Sequence, residues 1–399
     1  MKTLTILGST GSIGCNTLDV VRRRGDCRVF ALVAGQNVDL LASQIVEFRP
    51  EVAVVVTAAA RASLIKRLAE LNLPRSAWPD LHFGPRARVD AAASPEVDFV
   101  MSAIVGVAGL EATYEAVRRG KTVGLANKEV LVASGELVTS AAQASESELI
   151  PVDSEHNGVH QCLRAGRRSE VSRIILTASG GPFRDTPALQ LNLVTPAMAL
   201  NHPTWKMGKR ITIDSATMMN KGFEVIEACW LFGLSPSEVE VVIHPQSTVH
   251  AMVEFCDGSV IAQVSTTDMR MPIQYALTYP ARESAPVPRL DWSISRNFEF
   301  IPPDLSQFRL LKLAYDAQAG AGSATCTLNA ADEIAVEAFL EGRISLPGIT
   351  DVVEETLARV PVRHPDSIGD VLAIDEESRA VARALVQDGV GSRASVTRI

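Results

Sequence analysis

Over the first 150 residues, short apolar runs alternate with stretches whose apolar positions recur at helical spacing. Leu4–Leu7, Val29–Ala34, Val52–Val56, Phe99–Ile104 and Thr122–Ala126 read as strands, with helices such as Asn16–Arg24 and Leu110–Arg119 between them. Consecutive apolar strands separated by helices imply a parallel sheet, because each strand needs a crossover to return in the same direction. The texture changes near Pro151. Arg173–Ala178, Arg210–Asp214, Val241–His244, Val249–Phe255 and Val260–Val264 read as strands, the last two joined at Asp257-Gly258 by a hairpin turn. A proline-rich passage follows, and beyond Leu311 the pattern is helical: Leu311–Ala319, Leu328–Leu340, Ile349–Ala358 and Glu376–Val386. The expected architecture is α/β: a Rossmann-like parallel sheet over 1–150, a central α+β domain over 151–285, a linker over 286–310 and a helical bundle over 311–399.

The totals agree with this reading. A chain of 399 residues is too long for one ordinary core. With 47% hydrophobic and 21% charged residues it has the balance of a globular protein. A net charge of −8 argues against nucleic acid or an anionic membrane as the main partner, while leaving room for a small phosphorylated ligand. The six cysteines form no C-x-x-C pair, as expected of isolated thiols in a reducing cytoplasm. No apolar run approaches the roughly 20 residues that span a bilayer, and no secretory leader pattern precedes the first strand. A cytoplasmic location is the expectation.

The first chemical signal is Gly8-Ser9-Thr10-Gly11-Ser12-Ile13-Gly14, set between a strand and a helix. Glycines there let the backbone approach a pyrophosphate, whose charge meets N–H groups at the helix start. In NAD-binding folds an acid at the end of the second strand usually holds the ribose 2′-hydroxyl. Here that strand runs into Gly35-Gln36-Asn37, with no carboxylate to repel a 2′-phosphate, so NADPH is the expected cofactor. Gly120-Lys121-Thr122 resembles the end of a P-loop, but Glu115 stands where that motif needs glycine.

The second signal is a set of acids and donors. Asp153 and Glu155 lie two apart and would point to one side of an extended chain. Alone, they suit a solvated loop equally well. Asp214 to Glu224 opens a helix on which Asn220, Lys221 and Glu224 lie near one face, with Ser215 in the turn before it. Ser, Asn and Lys at a helix start suit a phosphate. Glu224 would join Asp153 and Glu155 as a third oxygen ligand, a set that favours Mg²⁺ or Mn²⁺, with Co²⁺ a third candidate. His156 and His160 have i,i+4 spacing but lack the glutamate of a zinc H-E-x-x-H frame, so helix-capping or surface roles are expected of them. Residues 177–183 end a strand in small donors, and residues 201–208 form a polar loop with Trp205 and Gly208. The residues alone leave open an ordinary NADP-dependent dehydrogenase and a non-catalytic NADP-binding module.

Taken together, G-S-T-G-S-I-G, Ala126-Asn127-Lys128-Glu129, P-V-D-S-E-H-N, S-G-G-P-F-R, H-P-T-W-x-M-G, D-S-A-T-M-M-N-K-G and Leu328-Asn329-Ala330-Ala331 occur in an order that resembles the 1-deoxy-D-xylulose 5-phosphate reductoisomerase family. The resemblance implies a V-shaped homodimer and the second step of the methylerythritol phosphate route to isoprenoid precursors. It implies a metal on Asp153, Glu155 and Glu224, with Lys128 and His202 also in the catalytic set. It implies substrate contacts from Lys128, Ser154, Glu155, Ser179, His202, Ser215, Asn220, Lys221 and Glu224, with Trp205 as the cover of a closing loop. Thr10, Gly11, Ser12, Ile13, Gly35, Gln36, Asn37, Asn127, Glu129 and Gly208 would line the cofactor. Three positions depart from the family pattern: Gln36 where many relatives carry a basic residue, Lys206 where a small polar residue is common, and Asp332 where Asn is usual.

Overall fold

The computed structural model describes residues 1–201 and 208–392. In chain order the elements are β1 (Lys2–Leu7), α1 (Ser12–Arg24), β2 (Cys27–Val33), α2 (Val38–Phe48), β3 (Val52–Val55), α3 (Ala58–Glu70), β4 (Asp80–Phe83) and α4 (Pro85–Ala93). Then come β5 (Phe99–Ser102), α5 (Leu110–Arg118), β6 (Thr122–Leu125), α6 (Glu129–Ser145), β7 (Leu149–Pro151), α7 (Ser154–Cys162) and β8 (Val171–Ala178). After two single-turn helices, α8 (Ala188–Leu191) and α9 (Pro196–Ala199), follow α10 (Lys209–Ala216), α11 (Met219–Phe232), β9 (Val239–Ile243), β10 (Val249–Phe255) and β11 (Val260–Val264). The chain ends with α12 (Arg270–Thr278), α13 (Arg309–Gly320), α14 (Ala324–Leu340), α15 (Leu346–Arg359) and α16 (Ile368–Gln387). Among the described residues no helix is long and apolar enough to cross a membrane.

The chain divides into two compact units. The first comprises Met1–Val130, Val138–Asn157 and Asp268–Arg289. Its sheet has the order β4-β3-β2-β1-β5-β6-β7, with every pairing parallel. β1 therefore lies where the strand order reverses, which is where ligands bind in open α/β sheets. Leu4, Ile6, Leu32, Ala53, Val55, Phe99 and Met101 join one core with α1 to α3. Burial on both faces is why these strands read as unbroken apolar runs. Two strands carry no such pattern. β4 is a largely exposed edge strand and β7 is three residues long, so both are set by pairing rather than by local sequence.

The late segment Asp268–Arg289 returns to this unit. Ile273, Tyr275, Ala276 and Leu277 of α12 enter its core. Arg270 bonds Asp268 at 2.6 Å and Asp19 of α1 at 3.1 Å, and Lys2 Nζ donates to the Leu277 carbonyl at 2.7 Å.

The second unit comprises Leu131–Leu137, Gly158–Thr267 and Leu290–Ile399, of which the described residues run to Ser392. Its sheet has the order β11-β10-β8-β9, antiparallel except for β8 with β9. The hairpin after β10 turns at Gly258, whose φ is +83°, a backbone that glycine adopts without strain. Ile174, Leu176, Val241, Ala251 and Val253 of the sheet pack with Val225, Ala228 and Cys229 of α11. The opposite side of α11 joins α13 to α16 through Phe223, Ile226, Leu310, Ala314, Leu328, Ala335 and Phe339.

One expected strand is a helix. Arg210–Asp214 alternates as a strand would, yet it lies in α10. Five alternating residues are too few to fix the period. Ile213 and Ala216, three apart, bury together in the bundle core and decide the outcome.

Candidate active site

The glycine-rich turn connects β1 to α1 at the switch point of the first unit. Gly8 has φ +88°, and a Cβ there would sit 2.4 Å from the Ala103 carbonyl oxygen beyond β5. At Gly14 a Cβ would lie 2.3 Å from the Gly8 carbonyl and 2.5 Å from Ser9 Cα. These glycines let strand and helix close into a tight turn. The N–H groups of Gly8 and Ser9 both donate to Val33 O at 2.9 Å, which ties the turn to β2. Gly11 caps α1 in extended conformation, and Gly11 and Ser12 are exposed beside the partly buried Thr10 and Ile13. Gly35, Gln36 and Asn37 follow β2 and are exposed, with Asn37 Oδ1 accepting from Leu40 N at 3.2 Å to start α2. On the other side of the switch point, buried Asn127 donates to Gly106 O at 3.0 Å and also to Ile104 O. Glu129 stands in the first turn of α6, half-buried.

The acidic motif of this unit differs from its expected form. Asp153 and Glu155 do not alternate along a strand, because helix α7 begins at Ser154. Asp153 sits just before that helix and accepts from Glu155 N at 3.3 Å, while Ser154 Oγ donates to Glu155 Oε2 at 2.6 Å. Aspartate favours this place because its oxygen satisfies an orphan N–H of the first turn. Lys128 Nζ donates to Asp153 Oδ2 at 2.8 Å, and both side chains are largely buried. The structure thus brings Lys128, Asp153, Ser154 and Glu155 into one contiguous group. His156 is fully buried, with Nδ1 3.5 Å from Asp153 Oδ1. The surface or capping role expected of it is corrected: its ring stands behind the carboxylate. His160 is half-buried, and burial, with Arg164 adding to it, pushes its imidazole down to about 4.

The phosphate-donor motifs belong to the second unit. Ser179 directly follows β8, and its Oγ accepts from Gly181 N at 3.2 Å. Gly180 and Gly181 both have positive φ. A Cβ on Gly181 would be 2.7 Å from the Ser215 carbonyl oxygen, so the Ser179 loop rests directly on the last turn of α10. Met218 then breaks the helix with left-handed backbone (φ 63°, ψ 8°) and α11 starts afresh. Such strain in a non-glycine residue concentrates at functional sites. The sequence does not announce it, because methionine carries no turn signal. On α11, Asn220 Nδ2 donates to Glu224 Oε1 at 2.6 Å, and Lys221 Nζ donates to Glu224 Oε2. Lys221 and Glu224 are almost completely buried, and buried charges persist only when paired. Gly208 is exposed and caps α10. His202, Trp205 and Lys206 lie outside the described residues.

A parallel sheet with a glycine turn at its switch point, in a chain that also carries buried carboxylate–lysine pairs and a cluster of small donors, defines a nucleotide-dependent oxidoreductase. Three family models match the chain. 1-Deoxy-D-xylulose 5-phosphate reductoisomerase matches residues 4–135, the C-terminal domain of that enzyme matches 149–232, and a further DXP reductoisomerase C-terminal domain matches 264–381. The chain belongs to the 1-deoxy-D-xylulose 5-phosphate reductoisomerase family. It is 67% identical over 386 residues to the reductoisomerase of Solibacter usitatus, covering 96% of this chain and 97% of that one. With the Methylococcus capsulatus enzyme it shares 50% over 394 residues, covering 97% and 99%. Among solved structures, the Zymomonas mobilis reductoisomerase in complex with NADPH aligns at TM-score 0.89 and 42% identity, over 97% of this chain and 98% of that one. A DOX-P reductoisomerase in complex with NADPH, fosmidomycin and magnesium aligns at 0.90 and 38%, with the same coverage.

Proposed function

We propose that this protein catalyses the NADPH- and divalent-metal-dependent rearrangement and reduction of 1-deoxy-D-xylulose 5-phosphate to 2-C-methyl-D-erythritol 4-phosphate, in isoprenoid precursor biosynthesis. The observation that carries the reading is the state of the acids: Asp153, largely buried, and Glu224, fully buried, each rest on a lysine ammonium of their own unit. An all-oxygen donor set held against cationic stand-ins is the chemistry that suits Mg²⁺ or Mn²⁺. Asp153, Glu155 and Glu224 are the proposed ligands. When bound, the cation supplies Lewis acidity that stabilises negative charge developing on the substrate as its carbon skeleton rearranges. NADPH supplies the hydride that reduces the rearranged aldehyde.

The remaining work falls to the chain. Lys128 holds Asp153 in place, and Ser154 does the same for Glu155. Lys221 neutralises Glu224 in this structure, and with Ser179, Ser215 and Asn220 it would hold the substrate phosphate. Phosphate binding orders the reacting end of the substrate, so binding energy spent remotely lowers the barrier. His202 and Trp205 are assigned to the loop that closes over the substrate. Thr10 to Ile13 hold the pyrophosphate at the start of α1, Gly35 to Asn37 receive the 2′-phosphate, and Asn127, Glu129 and Gly208 also line the cofactor.

Mixing the purified protein with this ketose phosphate and NADPH is expected to consume the nicotinamide absorbance only when Mn²⁺ or Mg²⁺ is present. Full turnover after exhaustive chelation would remove the carboxylates from the mechanism. No turnover by a protein that still binds NADPH would leave the cofactor reading standing and sink the substrate assignment.

The homodimer and a cytoplasmic location are part of the same reading. Residues 290–305 expose Trp292, Ile294, Phe298, Phe300 and Leu305, and edge strand β11 exposes Val260 and Ile261. These exposed apolar side chains support a contact with a second copy of the chain. Sedimentation equilibrium is expected to return twice the chain mass, and Trp292→Glu to shift it toward the monomer. A wild-type monomer at micromolar concentration contradicts the dimer. The six free thiols suit a reducing compartment.

A further inference from the structure

Behind the phosphate-donor turns of the second unit lies a group of buried charges that the reaction does not use. Asp332, on α14, is fully buried, and among the described residues no nitrogen donor comes within 3.5 Å of either carboxylate oxygen. A buried, ionised carboxylate without donors is a costly arrangement. The nearest cation does not supply them. Arg210 Nη2 stays 3.6 Å from Asp332 Oδ2 because its guanidinium is committed elsewhere. Nη1 donates to Glu333 at 2.8 Å and Nη2 to Asn329 Oδ1 at 2.9 Å. What faces Asp332 is a second acid: the carboxyl of Asp214, on α10, which is itself buried and whose Oδ2 lies 3.6 Å from Arg210 Nε.

Other described elements pack around the group. α16 contributes Arg379, which donates to Asp375 at 2.6 Å and also to Glu333. α11 presents the Phe223 ring beneath the Arg210 guanidinium, 5.7 Å away. Among the described residues, Asp214, Asp332, Glu333 and Asp375 share Arg210 and Arg379. Facing carboxyls that cannot both ionise cheaply hold one proton between them.

We propose that Asp332 and Asp214 share a proton, and that this carboxyl–carboxylate bond positions α10, and with it Ser215, for the substrate phosphate. Asp214 directly precedes Ser215, and α10 has less than three turns in which to absorb a displacement. Asp332 acts through Asp214 and is a positioning residue. Burial pushes its carboxyl up to about 6, with Arg210 opposing. As pH rises past that point the proton leaves, the two acids repel and compete for Arg210, and α10 loosens. The phosphate half of this inference rests on the role proposed above for Ser215.

The folded-state value lies above the ordinary aspartate value of 3.8. Between those two values the folded chain keeps a proton that the unfolded chain has released. Asp332 therefore costs nothing below about pH 4, and its penalty grows up to about pH 6 and is complete above it.

The test is Asp332→Asn, an isostere whose amide donates to Asp214 at every pH. At pH 8 the variant is expected to melt several degrees above the wild type and to have a severalfold lower KM for the ketose phosphate, with kcat little changed. At pH 5 the KM values should converge, and the two melting temperatures should draw together as pH falls toward 4. The phosphate itself titrates near pH 6, so the informative quantity is the wild-type to variant ratio and not either profile alone. A protonated-carboxyl infrared band, present at pH 5 in the wild type and missing from the variant, should accompany it. Identical melting curves at every pH, or no such band, overturn the shared proton. A melting difference with no KM difference overturns the positioning role. Ser215→Ala, assayed alongside, must raise KM. If it does not, the phosphate assignment and the positioning role fall together, while the melting test of the shared proton stands.

Discussion

Replacing Glu224 with glutamine is expected to lower kcat by about a hundred- to a thousandfold, the loss typical when one preorganised electrostatic group is removed from a reacting centre. NADPH affinity should stay close to that of the wild type. The substitution is close to isosteric. The new amide would still accept from Lys221 through its carbonyl oxygen, while its NH2 group takes the place of the oxygen that now accepts from Asn220 and can donate to the Asn220 side-chain oxygen once that amide turns over. What disappears is one negative charge on a residue that is 1% exposed, where water cannot replace it. The concentration of Mn²⁺ giving half-maximal turnover should rise with the fall in kcat, and excess metal should restore part of the rate. Unchanged turnover and metal requirement in the Glu224→Gln protein would take Glu224 out of the ligand set. Measuring NADPH binding by fluorescence on the same sample separates this result from a folding defect.

The second large effect is Gly14→Ala. The new Cβ would stand 2.3 Å from the Gly8 carbonyl and 2.5 Å from Ser9 Cα, contacts with backbone that no rotamer change relieves. α1 must move off β1, at a cost of about 1–3 kcal/mol for forced overpacking. The N–H groups at the helix start then lose their aim, and NADPH affinity should fall more than tenfold. Gly35→Ala is the matched comparison. Nothing lies within 4 Å of its Cβ, so the melting temperature should not change, and a drop in NADPH affinity there would come from contact with the cofactor itself. Wild-type NADPH affinity in the Gly14→Ala protein would show that the turn does not hold the pyrophosphate.

Which parts of this molecule can be read from sequence depends on how locally each is determined. The turn from Gly8 to Gly14 is legible because phosphate chemistry and close packing both demand glycines at fixed spacing. β1, β2 and β5 are legible because they are buried on both faces. β4 and β7 are not, since an edge strand and a three-residue strand owe their existence to neighbours. α10 misleads because its alternation is shorter than the distance over which the two periods diverge, and Asp153 with Glu155 because the start of α7 carries no strong apolar period. The side chains of the acidic motif are nonetheless the expected ones, for chemistry constrains their identity where it leaves their backbone free. The pair formed by Asp214 and Asp332 is out of reach. In the sequence Asp214 closes an expected strand and Asp332 is a departure from the family pattern, and nothing links them until α10 and α14 bring them together.

The return of α12 to the first unit bears on how this enzyme can be cut and recombined. Ile273, Tyr275 and Leu277 fill the core beneath a sheet whose strands were all completed more than a hundred residues earlier in the chain. No contiguous stretch of the gene therefore encodes the cofactor-binding body. A fragment ending after β7 would leave that apolar seat open to water and should be recovered as aggregate. Homologous exchange between relatives has to carry both stretches or neither, so the nucleotide-binding half cannot be inherited as a cassette, however modular its sheet looks.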